Sequence, residues 1–119
     1  MRRTLVFWLL VSCKHAASPA AEIADRGWRA HEIVVAAGEA AQSCAEAGVA
    51  MQRAFALHRQ EFVDAIELDR DKDRLRAATD YLEAHQDRYA DLETRMEALS
   101  ERCIADTTVQ AAFRQMESP

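Results

Sequence analysis

Residues 75–103 read LRAATDYLEAHQDRYADLETRMEALSERC. Leu75, Ala78, Leu82, His85, Tyr89, Leu92, Met96, Leu99 and Cys103 recur at alternating steps of three and four. That spacing predicts a helix with one apolar stripe, the seam of an antiparallel or coiled-coil pairing. Asp, Glu, Arg, Gln and Ala fill most positions between, so the opposite face is predicted to be solvated. Glu93, Glu97 and Glu101 form one row on that face, and Glu83, Asp87 and Asp91 another. Rows of this kind keep a helix soluble more often than they bind a cation.

A second, looser stripe precedes it, through His31, Val34, Gly38, Ala41, Cys44, Gly48, Met51, Phe55, His58, Phe62 and Ile66. Ser18-Pro19 is a helix opening, with a capping hydroxyl followed by a residue suited to the first turn. No proline interrupts the chain from there to Leu68. The reading is one long helix, in which Gly38 and Gly48 either permit close helix approach or mark a break. The charge cluster Asp69-Arg70-Asp71-Lys72-Asp73-Arg74 is the expected turn, its aspartates capping the next helix. Folded there, the stripes face each other wherever residue numbers sum to about 147. Cys44 meets Cys103, Met51 meets Met96, Phe55 meets Leu92, His58 meets Tyr89, and Phe62 meets His85. Asp106-Thr107-Thr108 reads as a recap before a last helix whose face is Val109, Ala112, Phe113 and Met116. The expected fold is all-α: a long antiparallel helical hairpin, coiled-coil-like, with a short C-terminal helix.

The N-terminus has a different character. Arg2 and Arg3 are followed by the apolar run Thr4 to Val11 and then by Ser12-Cys13. Charged, apolar, then small is the layout of a secretory signal, and the run is shorter than the ~18 apolar residues a membrane-spanning helix needs. Leu10-Val11-Ser12-Cys13 resembles the lipobox of bacterial lipoproteins. The resemblance covers about a dozen residues and implies location rather than activity. It implies that residues 1–12 are a signal peptide and that Cys13 is the acylated first residue of the mature chain. Residues 13–18 are then a lipidated tether and residues 19–119 the helical domain. Lys14 in place of an aspartate implies the outer membrane, facing the periplasm. An ordinary signal cleaved nearer Ala16-Ala17 is the alternative. With Cys13 acylated in an oxidising compartment, the remaining even pair, Cys44 and Cys103, reads as a disulfide.

Composition bounds the function. The 119 residues hold one domain, three glycines, two prolines and eight aromatic residues, enough for long helices around a thin core. Losing Arg2 and Arg3 with the signal takes the formal charge from −5 to −7, which argues against nucleic acid as a partner. There is no Gly-rich phosphate loop, CxxC, CxxCH, HExxH or GxSxG, and no carboxylate pair set apart in an apolar stripe. We therefore expect neither an enzyme nor a cofactor. The expected role is structural: a membrane-tethered envelope lipoprotein whose partner is another protein or a second copy of itself. The alternative is a small metal- or haem-binding bundle that uses His58 and His85, with Met51 and Met96 two turns away along the hairpin. Trp28, near the tether, is expected to pack on the C-terminal helix or to lie at the lipid surface.

Overall fold

The computed structural model describes residues 18–119, and every described element is helical. Helix α1 spans Pro19–Ala40, α2 Cys44–Glu67, α3 Lys72–Ala84, α4 Gln86–Arg102 and α5 Thr107–Glu117; a 3-10 turn, Leu68–Arg70, joins α2 to α3. The starts follow from short-range hydrogen bonding. Ser18 accepts from the Ala21 amide at 3.1 Å ahead of Pro19. Asp71 accepts from the amides of Asp73 and Arg74 at 2.9 and 3.1 Å. Asp106 accepts from the amides of Thr108 and Val109, both at 3.0 Å. Each oxygen takes up donors that the first helical turn cannot bond internally.

The long first helix expected over 19–68 is two helices. At Ala41 the backbone becomes extended, and its amide closes back on the Gly38 carbonyl at 3.3 Å. Ser43 then caps α2 through the Glu46 amide at 3.2 Å. The reversal inserts α1 into the hairpin. Asp25 meets Tyr81, Trp28 meets Arg88 and Glu39 meets Arg95, so α1 runs parallel to α3 and α4 and antiparallel to α2. Gln52 donates to the Thr108 carbonyl at 3.0 Å, and Arg59 to the Pro119 carbonyl at 2.6 Å, so α5 runs parallel to α2. The order is up, down, up, down, with α3 and α4 together as the third member.

The third member is kinked. His85 has non-helical φ −118° and ψ 31° and is shared as the cap between α3 and α4. On one side of the joint Tyr81 holds Asp25; on the other Arg88 lies over Trp28, and both contacts tie the member to α1. Four helices surround the main core, where Val34, Val35, Met51, Leu99, Val109 and Ala112 are almost wholly buried. Helix α5 has only 11 residues against 24 in α2. Past its end the bundle has three members and a second, small core of Ala20, Ala24, Leu68 and Ala78. Cys44 and Cys103 are bonded at the four-helix end, with Cα atoms 5.5 Å apart. Among the described residues no helix is long and apolar enough to cross a membrane.

Candidate functional site: an apolar groove beside the short helix

The groove follows from the mismatch in helix length. Where α5 stops, the row it occupies between α2 and α4 is open, and a cavity of about 310 Å³ lies there. Its floor is α1 through Ala24, Gly27 and His31; Ala65 and Leu68 form one wall, and Leu75, Leu82 and Met96 are on the other. Met96 belongs to both rows: it lines this groove and also lies with Phe113 in the crevice between α4 and α5. Leu75 and Tyr89 stand at 39% and 41% exposure, so apolar surface continues out onto the rim. Two carboxylates, Asp69 and Glu93, also line the groove.

Few polar groups reach into it. His31 donates through Nδ1–H to the Gly27 carbonyl at 2.7 Å, which leaves Nε2 as the acceptor. Its ring lies 4.4 Å from the ring of Phe62. Burial pushes the imidazole below its ordinary pKa, and the Gly27 bond only partly opposes that, so His31 is a neutral floor residue at pH 7. Trp28 Nε1 is buried with no hydrogen-bond partner among the described residues, while the Arg88 guanidinium sits 4.1 Å over the indole ring. Trp28 thus packs on the third member of the bundle and not on the C-terminal helix. Burial raises the Tyr89 hydroxyl, and Glu93 beside it adds to the rise, so the phenol stays protonated. Below Trp28 burial works to raise the Asp25 carboxyl, but Tyr81, Arg29 and Arg88 outweigh it and hold the group below its ordinary range.

The residues singled out from the sequence divide among several places. Cys13 lies outside the described residues. Cys44 and Cys103 are paired as expected. His58 and His85 do not share an interior site. His58 sits at a kink inside α2, φ −116° and ψ 16°, with Nδ1 3.7 Å from Glu61. His85 is at the α3–α4 joint, its ring 4.4 Å from Tyr81. The place beside Phe62 that the summed register assigned to His85 belongs to His31. Met51 is fully buried, its Sδ at Gly38, and Met96 is at the groove. The physical reason is the interposed α1, which takes the contacts that α2 would have made with α3 and α4. Among the described residues no three His, Cys, Asp or Glu side chains gather as a metal ion requires. The sequence reading named His31 and Trp28 separately but missed Ala24 and Gly27, and with them the single candidate face the four residues form; its helical spacing of three and four was the available signal.

Fold and site together define a class: a small disulfide-bonded four-helix bundle with one short member and an apolar groove beside it. Comparison with protein-family models, with curated proteins and with solved structures finds no match for this chain.

Proposed function

We propose that the protein is an exported lipoprotein, held to the outer membrane by an acylated Cys13, whose helical bundle serves as an interaction domain for a protein partner in the envelope or a second copy. One observation carries the reading. The chain has three cysteines, and the Cys44–Cys103 bond uses two of them, both in the helical domain. The third is the cysteine of Leu10-Val11-Ser12-Cys13, where acylation needs a free thiol. A disulfide also fits an oxidising compartment, the one to which such a signal delivers a chain.

The test is expression of the full chain in a bacterium with an outer membrane. Intact mass is expected to show cleavage before Cys13 and a mass increase from acyl chains. Fractionation is expected to place the protein in the outer membrane, and Cys13→Ser to release it from that fraction. A mature chain beginning near Ala16 or Ala17 without added lipid overturns the reading. Crosslinking of the anchored protein in intact cells then separates a self-associated form from a partner-bound one.

A further inference from the structure

We infer that the groove beside α5 shelters one acyl chain of the protein's own Cys13 anchor. The inference rests on the lipid-anchor reading above and says what the bundle does with the lipid.

The lining gives the ligand class. Ala24, Leu68, Leu75, Leu82 and Met96 offer methyl and methylene surface, and His31 has its one ring N–H occupied by Gly27. Such a surface gains by covering hydrocarbon and offers little to a polar ligand. At about 310 Å³ the cavity is at the small end of ligand sites, room for one chain and not three.

Chain length gives the occupant. Four residues lie between Cys13 and the cap Ser18, and five extended residue steps reach roughly 17 Å. Ala24, at the end of the groove nearest the N-terminus, lies about 9 Å along α1 from Ser18 at the helical rise. A chain attached at Cys13 therefore enters the groove without any change in the bundle.

Charge separates the anchor from other acyl sources. Asp69 and Glu93 both line the groove. A free fatty acid, or a lipid headed by a phosphate, would bring an anion beside two carboxylates. The thioether, ester and amide linkages of a lipidated cysteine carry no charge, so the apolar tail enters at no electrostatic cost. A chain held in this way keeps its hydrocarbon out of water whenever the anchor is out of the bilayer.

The experiment uses the full-length protein made in cells fed a palmitic acid analogue bearing a diazirine. Acylated protein is purified in mild detergent, irradiated and digested. Crosslinks are expected from the acylated Cys13 peptide to residues 75–82 and 89–96. Thr79→Trp places an indole on the exposed wall of the groove, where the fold tolerates it, and is expected to lower that yield severalfold with an unchanged far-UV circular dichroism spectrum. A second arm titrates Cys13→Ser protein with two free probes, diazirine-bearing palmitate and its neutral monoacylglycerol, and the neutral probe is expected to label the groove more strongly. Acylated protein whose crosslinks go only to detergent or phospholipid overturns this inference and leaves the anchor reading standing. Cys13 without lipid overturns both. Preferential labelling by the free acid overturns the assignment to the anchor.

Discussion

Gly48 and Gly38 occupy helix interiors, where alanine would gain ~1 kcal/mol of propensity at either place. Their surroundings oppose that gain at both, and more strongly at Gly48. A Cβ on Gly48 would come within 2.6 Å of the Thr108 Cβ and 2.7 Å of its backbone carbonyl carbon, so the first turn of α5 would have to move. A Cβ on Gly38 meets the Leu99 Cδ2 and the Met51 Sδ at 2.8 Å and the Met51 Cγ at 2.9 Å, so two buried core side chains would have to repack although no backbone of another helix is struck. Overpacking a well-packed core costs ~1–3 kcal/mol and offsets or exceeds the propensity gain. Both variants are therefore expected to lower the urea midpoint, Gly48→Ala by more, because there the backbone of α5 must move and not side chains alone. Equal midpoints for the two variants would contradict the packing argument. His31 supplies a pH dependence at the same scale. Its folded pKa is depressed by burial, so the unfolded chain takes up the proton first as pH falls. The stability it contributes is complete above the ordinary histidine value of about 6.5 and is lost as pH falls through the lower folded value. Urea midpoints at pH 7.5 and 5 are expected to show that slope, and His31→Phe to flatten it. A variant with the parental slope would assign the dependence elsewhere.

At the scale of the element, the caps of α3 and α5 look alike but carry different loads. Asp106 bonds two amides and the Thr108 hydroxyl, which together hold its carboxyl below the usual range, the hydroxyl most of all. The helix it starts buries Val109, Ala112 and Met116. Asp71 bonds two amides, but α3 buries only Ala78. Loss of a cap costs ~0.5–2 kcal/mol. Asp106→Ala is expected to lower the midpoint of a global urea melt. Asp71→Ala is expected to speed hydrogen exchange within α3 while moving the global midpoint less. These caps were legible in the sequence because each depends on two or three neighbouring residues. The α1–α2 turn was not. Ser43 has no proline after it, alanines 36, 37, 40 and 41 read as helix, and the steps from Gly38 through Ala41 to Cys44 keep the stripe going across the break. No described residue other than glycine, and no described glycine, has a positive φ that would have flagged a reversal. The cysteine pairing was nevertheless legible, because the signal-like layout around Cys13 sets it apart and leaves Cys44 and Cys103 as an even pair in matching register on the two stripes. Of the candidate site, the stripe of Leu75, Ala78, Leu82, Tyr89, Leu92 and Met96 was legible in the sequence, and the α1 face opposite it could have been. The groove depends on how far α5 falls short of α2, and no local pattern encodes a difference between two distant helices.

For the whole molecule the disulfide and the helix lengths act on opposite ends. The bond joins residues 59 apart in sequence, and closing a loop of that size removes denatured-state entropy worth ~4 kcal/mol in the chain-entropy model. The end it clamps already has the larger core, with Val34, Met51, Leu99, Val109 and Met116 drawn from α1, α2, α4 and α5. The other end has three members and a core of three alanines and one leucine. Cutting the bond therefore draws on a reserve that the groove end does not hold. A Cys44→Ser, Cys103→Ser double variant, and the parent under reductant, are both expected to remain helical at 25 °C and to unfold at a clearly lower urea midpoint. Hydrogen exchange is expected to rise first in α3, where Ala78 is the only buried residue, and last around Met51 and Leu99. If the four-helix end exchanged first on reduction, the clamp rather than the core would be what holds α5 and α4 together. If oxidised and reduced midpoints were equal, the denatured chain would have to keep residues 44 and 103 close by itself, and the entropy argument would not apply.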